Sequence, residues 1–290
     1  MTIHDLKKTL PIFRKKLDNG LETVILPIRK VPVVTISVGY KAGSKNEVRG
    51  KTGLAHLFEH LMFEGTANVP KGGFDQYCSI AGGTNNAYTT YDLTSYIMAL
   101  PSHQLELGLW LESDRMFNFE IGEKALENQK KVVVEEINQT VENQPYGRWR
   151  NFLAENAFAP ESCYSWEVQG FADDVKSVGM KDINDFYEKF YQPENACLVI
   201  AGDIDPGSAL PQIEKYFNQQ VTRKEIYRPP NGKEMLQSGN YAKFEDNVPF
   251  HALFLAFHCS GFKDEEILAG DVLAFILGSG KSSILYNSQV

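Results

Sequence analysis

One stretch of the chain predicts a helix with a polar face and an apolar face: Gly53-Leu54-Ala55-His56-Leu57-Phe58-Glu59-His60-Leu61. Side chains three and four residues apart lie next to each other on a helix. His56, Glu59 and His60 follow that spacing and predict one polar face that carries two imidazoles and a carboxylate. A second set with the same spacing is apolar and predicts a buried face: Leu54, Leu57, Phe58 and Leu61.

The polar face has the composition of a catalytic metal site. Two neutral imidazoles on adjacent helical turns can bind zinc, each at about 2.0–2.1 Å. Glu59, between them and not bound to the metal, is placed to take a proton from a water on the metal. The order is H-x-x-E-H, that of the inverted zincins. The alternative is a solvated face with a chance pattern, which six histidines in 290 residues would produce in about one chain per hundred, so we favour the metal site.

A third ligand is expected, because a catalytic zinc usually has three protein ligands and one water. The candidates are the two glutamates of residues 131–137. Glu135 shares a solvated face with Lys131, Asn138 and Gln139, whereas Glu136 lies at the margin of the apolar face made by Val133, Val134, Ile137 and Val141. A half-buried carboxylate needs a partner, and a metal ion is one. Taken alone, Glu135 and Glu136 would be read as surface charges. Because the chain also contains the H-x-x-E-H stretch, we favour Glu136 as the third ligand.

Composition excludes several classes of function. With 29 basic and 37 acidic residues the formal charge is −8, which argues against a nucleic-acid-binding surface. No run approaches the ~18 apolar residues that span a bilayer, so no membrane association is expected. The N-terminus lacks the apolar core of a secretion signal, and the four cysteines lack metal-site spacing. We therefore predict a cytoplasmic protein with reduced thiols.

The order of elements predicts an α+β fold with a mostly antiparallel sheet flanked by helices. The metal-site helix is expected from residue 52 or 53 to about 64. The predicted strands are 22–26, 33–40, 94–100 and 197–202, and residues 82–90 begin loosely and become strand-like. The other predicted helices are 102–118, 123–142, 147–158, 181–190 and 206–217.

Three segments are expected along the chain: a zinc-binding domain over residues 1–220, a polar linker over 221–239, and the beginning of a second, similar but incomplete domain over 240–290. The linker contains Pro229-Pro230-Asn231-Gly232, which is typical of turns. Strands near 241–247 and 250–258 and a helix near 264–278 are predicted to begin the second domain.

Taken together, these motifs resemble the M16 zinc metallopeptidases, the family of pitrilysin, insulin-degrading enzyme and mitochondrial processing peptidase, and especially its bacterial members. His56-x-x-Glu59-His60 followed 76 positions later by Glu136 carries the resemblance. Supporting stretches lie at residues 17–21, 53–56, 63–66, 82–89, 143–147 and 191–203.

The resemblance implies one zinc ion per chain, bound by His56, His60 and Glu136, with Glu59 activating the water. It also implies that an edge strand over residues 84–89, centred on Asn85, Asn86 and Ala87, pairs with the backbone of an extended peptide. The alternative for that strand is a plain hairpin edge. Many family members have a glutamate seven residues before the third ligand; here Gln129 stands there, and an amide can support the site by hydrogen bonding but adds no charge.

The resulting prediction is a zinc-dependent endopeptidase that hydrolyses oligopeptides or unfolded segments. One alternative is a zinc-containing peptide-binding subunit that needs a homodimeric or heterodimeric partner of related sequence for turnover. Another is a structural metal site in an interaction protein, although such a site has no need of the unbound Glu59.

Overall fold

Six strands form one sheet in the computed structural model, which describes residues 11–221, 239–259, 261 and 264–289. Their spatial order is β1-β2-β6-β3-β5-β4, where β2 and β6 are parallel and every other neighbouring pair is antiparallel. The predicted α+β class with a mostly antiparallel sheet is confirmed. The strands are β1 (Phe13–Lys16), β2 (Glu22–Pro27), β3 (Val33–Tyr40), β4 (Thr84–Thr89), β5 (Thr94–Pro101) and β6 (Ala196–Gly202).

The core lies on one face of this sheet, under the helices. Successive side chains of a strand point to opposite faces, and β3 shows this alternation: Val34, Ile36, Val38 and Tyr40 are fully buried, while the residues between them are partly exposed. At the far edge, β4 pairs only with β5 among the described residues. Its residues alternate between exposed and half-buried, so one side of its backbone is open to another strand.

The helices agree with the predicted positions, with shifts at their ends. They are α1 (Leu54–Leu61), α2 (Gly73–Ile80), α3 (Leu105–Phe117), α4 (Glu123–Ile137), α5 (Trp149–Ala157), α6 (Ala172–Ser177), α7 (Met180–Phe190), α8 (Pro206–Phe217), α9 (Glu266–Gly278) and α10 (Ile284–Gln289). The helix predicted over 102–118 starts with a 3₁₀ turn at Ser102–Gln104, and the one predicted over 123–142 widens into a π-helical turn at Asn138–Glu142.

Sequence patterns did not reveal β1, α2, α6 and α10. All four residues of β1 are exposed, so the strand lacks the apolar alternation that would mark it. In α2 and α6 the buried residues are too few to form a periodic stripe; they are Gly73, Phe74 and Cys78 in α2 and Val175 in α6. Backbone pairing with β2 holds β1 in place, whereas α2 packs against β4 and α6 packs against α4.

The strands predicted near 241–247 and 250–258 are wrong: in the described chain, residues 239–259 pair with no strand. Aromatic side chains of α5 hold this segment instead, with Trp149 stacked on Phe254 at 4.9 Å and Phe152 against Phe244 at 4.6 Å between ring centroids. The predicted linker falls almost entirely on residues 222–238, which lie outside the described part. The helix predicted near 264–278 is present as α9. None of the helices in the described ranges is both long enough and apolar enough to cross a bilayer.

Candidate metal centre

Helix α1 presents the three polar residues that its sequence predicts on one face. Its apolar stripe is buried: Leu57, Phe58 and Leu61 have no exposed surface and Leu54 retains 7%. The side chains of His56 and His60 remain 13% and 27% exposed. Their rings lie 4.8 Å apart between centroids and are almost perpendicular, at 89°, so the two imidazoles converge from adjacent turns.

Glu47 anchors the beginning of α1. Its Oε2 accepts a hydrogen bond from the backbone N–H of Gly53 at 3.0 Å, and its Oε1 accepts one from the N–H of Ala55 at 2.7 Å. The indole Nε1 of Trp166 donates to the same Oε2 at 3.0 Å. The first N–H groups of a helix have no partner within it, so this buried carboxylate satisfies two of them from outside the helix. Gly53 itself has φ +80°, a backbone conformation that favours glycine.

Helix α4 supplies the third candidate ligand. Oε2 of Glu136 lies 3.4 Å from Nε2 of His60, and Oε1 lies 3.8 Å from Nε2 of His56. Within the described residues these three side chains form the group whose ligand atoms all lie within 4.8 Å of one another. A tetrahedral zinc with bonds of about 2.0–2.1 Å separates its ligand atoms by about 3.4 Å. The three ligand side chains and the distances between their ligand atoms therefore fit zinc with only small movements of the side chains.

The neighbouring glutamate is oriented differently. Glu135 is exposed, and its Oε1 accepts a hydrogen bond of 3.0 Å from Nε2 of Gln139 on the solvent side of the helix. Glu136 is half-buried, with 34% of its side chain exposed. The two glutamates thus occupy the two faces that the helical pattern predicts.

The electrostatics of the three donors suit a divalent cation. Burial lowers the pKa of His56, although the nearby Glu136 opposes this shift. The hydrogen bond with His60 lowers the pKa of Glu136, and burial opposes it only in part. The site therefore favours a neutral imidazole at His56 and an ionised carboxylate at Glu136, the protonation states in which both side chains bind metals.

Glu59 lies beside this group but is not part of it. Its Oε2 accepts a hydrogen bond from Oγ1 of Thr89, at the end of β4. Burial raises the pKa of Glu59, and the bond from Thr89 and the charge of His60 reduce that rise. A carboxylate with a raised pKa, held next to a metal site, is a suitable general base.

The predicted peptide-binding residues lie on the open edge of the sheet. Asn85, Asn86 and Ala87 are in the middle of β4, where Asn86 pairs with Ile97 of β5. Oδ1 of Asn86 accepts a hydrogen bond of 2.9 Å from the N–H of Ala87. Helix α1 packs against this strand, which brings the edge to the same side of the molecule as the metal group.

The amide of Gln129 binds a carboxylate that follows α1 in the sequence. Its Nε2 donates a 2.6 Å hydrogen bond to Oε1 of Glu64, a carboxylate that also accepts from Nζ of Lys71 at 2.7 Å. The structure thus directs the Gln129 amide to the segment that follows α1. Sequence reasoning missed Gln169, whose Nε2 donates to Oε1 of Glu136 at 3.2 Å. Since 33 residues separate the pair, no local pattern could have revealed it.

Comparisons with known proteins agree with this geometry. Residues 23–163 match the family model described as Insulinase (Peptidase family M16), and residues 177–289 match the Peptidase M16 inactive domain. Zinc protease PqqE of Helicobacter pylori is 34% identical over 280 residues, which are 94% of this chain and 62% of that protein. The chain therefore spans less than two thirds of this relative's length.

Solved structures show the same fold. A crystal structure of a protease from Helicobacter pylori matches with a TM-score of 0.86 and 31% identity, and the match covers 96% of this chain and 68% of that one. The first half of the periplasmic protease PqqL from Escherichia coli matches with a TM-score of 0.68 and 26% identity, over 76% of this chain and 48% of that one.

The prediction of a cytoplasmic location is wrong, because the similar PqqL is a periplasmic protease. That prediction rested on the first few residues, which lack the apolar core of a secretion signal. A secretion signal is removed from the mature protein, so the first residues of a given sequence do not decide the compartment. The match to a protease structure at 31% identity, together with M16 models along both parts of the sequence, establishes that this chain belongs to peptidase family M16.

Proposed function

We propose that the protein is a zinc-dependent endopeptidase that hydrolyses bonds within oligopeptides or unfolded segments. One observation carries the proposal: His56, His60 and Glu136 converge within 4.8 Å of one another, and Glu59, on the same helix, stands beside them without joining them. A structural zinc site has no use for that fourth side chain. A hydrolytic site needs it as a base.

In this proposal His56, His60 and Glu136 hold one zinc ion per chain. When bound, zinc supplies a water whose pKa falls from 15.7 towards about 7 and a Lewis acid that polarises the peptide carbonyl. Glu136, ionised at neutral pH, offsets part of the positive charge of the metal.

Glu59 moves the proton. Thr89 holds Oε2 of Glu59 by a hydrogen bond, which leaves Oε1 to accept a proton from the attacking water. The protonated Glu59 then gives that proton to the amine of the departing peptide half. Because burial raises the pKa of Glu59, the carboxylate takes up the proton more readily than an exposed glutamate would.

The open edge of β4 positions the substrate. An extended peptide adds a strand to an exposed sheet edge through backbone hydrogen bonds. Asn85, Asn86 and Ala87 would pair with that peptide, and Thr89, four residues after Asn85, connects the same strand to Glu59. Strand β4 would therefore both pair with the substrate and hold Glu59, which would keep the scissile bond near His56, His60 and Glu136.

The experiment that tests this proposal measures zinc content and the cleavage of a quenched-fluorescent peptide library. Glu59→Gln should abolish cleavage and keep zinc, because only the base is lost, whereas His60→Ala should lose zinc. Glu135→Gln is the matched control, since this glutamate is exposed and bonds to Gln139. Retained turnover in purified Glu59→Gln protein would refute the role of Glu59, and a metal-free protein would refute the proposal as a whole.

A second candidate function is a zinc-containing peptide-binding subunit that turns over only with a related chain. Helix α9 favours it, because Leu268, Val272 and Phe275 are 66%, 60% and 67% exposed, and contiguous exposed apolar surface marks interaction sites. Residues 177–289 also match the M16 domain described as inactive. A relative in Arabidopsis thaliana, 24% identical over 276 residues, is named a probable mitochondrial-processing peptidase subunit beta.

The partner would be a second copy or a homologous chain, and the proposed division is a zinc-binding domain over 1–220 followed by a second unit over 240–290. Cleavage with and without a full-length related protease separates the two candidates. Zinc-bound protein that cleaves only with the partner would favour the subunit, and cleavage by a monodisperse monomer would favour the endopeptidase.

A further inference from the structure

Residues 166–171, here called the connecting loop, bridge the beginning of α1 and the third candidate ligand. Trp166 is 3% exposed and donates its indole N–H to Glu47, the carboxylate that anchors α1. The backbone N–H of Phe171 donates to Oγ1 of Thr52 at 3.0 Å. A Cβ on Gly170 would lie 2.2 Å from the backbone nitrogen of Gly53. The connecting loop is thus packed directly against the first residues of the metal-site helix.

The same loop reaches Glu136 through Gln169. Nε2 of Gln169 donates to Oε1 of Glu136 at 3.2 Å, and Oε1 of Gln169 lies 3.4 Å from Oγ1 of Thr140. The Thr140 hydroxyl donates its one proton to the backbone carbonyl of Glu136 at 2.8 Å, so the carboxylate decides the orientation of the amide: an ionised carboxylate only accepts hydrogen bonds, and the amide nitrogen must face it. Gln169 therefore contacts the ligand side chain and the helical turn that follows it.

This hydrogen bond gives the two carboxylate oxygens of Glu136 different neighbours. Oε1 receives Gln169, whereas Oε2 lies 3.4 Å from Nε2 of His60. With 34% of its side chain exposed, Glu136 has solvent on one side. A donor that holds one oxygen reduces the number of orientations the carboxylate can adopt.

We propose that Gln169 is a positioning residue for Glu136, and that the connecting loop couples this ligand to the helix that carries His56 and His60. This inference rests on the proposed zinc site. It assigns to Gln169 a supporting role in addition to the one that the family pattern places at Gln129, whose amide binds Glu64. The connecting loop then adds to the direct packing of α1 against α4, although the loop itself carries no ligand.

Gln169→Met in the full chain tests the inference, because methionine keeps the length of the side chain and removes both amide groups. The measurement is zinc affinity by competition with a chromophoric chelator, together with the visible spectrum of the Co²⁺-substituted protein. We expect affinity to fall by about 10–100-fold and the cobalt bands to shift, while the melting temperature of the metal-free protein stays within about 2 °C of the unsubstituted chain.

Gln139→Met is the matched control. Gln139 also donates its amide to a glutamate of the same helical segment, Glu135, but that glutamate is not among the three converging donors. Its substitution should leave zinc affinity and the cobalt spectrum unchanged. Unchanged affinity and spectrum in Gln169→Met, or an equal loss in Gln139→Met, would overturn the positioning role and leave the zinc peptidase proposal standing. Failure of the unsubstituted chain to bind zinc would overturn both.

Discussion

Replacing Glu47 by glutamine should weaken the fold and change how its stability depends on pH. The carboxyl group accepts three hydrogen bonds, from the N–H groups of Gly53, Ala55 and the Trp166 indole, and both of its oxygens keep acceptor lone pairs when it is protonated. A glutamine whose oxygen replaces Oε2 keeps two of them and turns its NH₂ group towards the N–H of Ala55. One buried N–H without a partner costs about 1–3 kcal/mol. For a chain of this size that corresponds to a fall in melting temperature of roughly 2–12 °C.

The pH dependence follows from the raised pKa of Glu47. Burial raises this pKa from the ordinary 4.5 to about 8, although the three N–H donors oppose the rise. Between these values the folded chain keeps the proton and the unfolded chain has released it. The free energy of unfolding must therefore fall as the pH rises through this window. At about 1.4 kcal/mol per pKa unit the ceiling on this loss is about 5 kcal/mol.

The assay is urea unfolding at about pH 5 and about pH 8.5, on either side of the titration. Glutamine does not titrate, so Glu47→Gln should lose less stability between the two values than the unsubstituted chain does. Other titrating groups are common to both proteins and cancel in this difference. Glu155→Gln, at an exposed position on α5, is the matched control and should behave as the unsubstituted chain. Equal pH responses in the Glu47→Gln and unsubstituted proteins would refute the raised pKa.

Two further predictions concern the metal-site helix and its base. Thr89→Val removes the hydrogen-bond donor to Glu59. It should lower kcat by about 10–100-fold, which is the value of a hydrogen bond to a charged group, and leave the zinc content unchanged. An unchanged kcat in a peptide-cleavage assay would contradict this prediction. Gly53→Ala should cost more than about 3 kcal/mol in urea unfolding, because φ is +80° and the new Cβ would lie 2.4 Å from the carbonyl oxygen of Gln169. Gly50→Ala is the control, because Gly50 has a similar backbone angle, φ +85°, but a Cβ added there would have no atom within 4 Å. An equal loss of stability in both variants would show that the clash with Gln169 does not contribute.

Local patterns predicted the parts of the site that lie on single helices. The i, i+3, i+4 spacing of His56, Glu59 and His60 is a property of the helix itself, and so is the choice of Glu136 over Glu135 as the half-buried glutamate of α4. The buried stripe of α1 and the alternation of β3 were predictable for the same reason, because periodicity reports which face of an element is covered.

Contacts between distant segments determined the rest. The insertion of β6 between β2 and β3, the anchoring of α1 by Glu47 and the bond from Gln169 to Glu136 each join residues with no shared period. For residues 239–259 the amino-acid pattern predicted strands, but a strand exists only where a backbone partner is hydrogen-bonded to it, and here aromatic packing on α5 took that place. The sequence by itself thus determined which side chains could bind a metal ion and which could activate a water, since the spacing of residues on a helix is a local property. Only the tertiary structure decided how Glu136 is held beside α1, because the packing of α4 against α1 and the hydrogen bond from Gln169 to Glu136 join segments that are far apart in sequence.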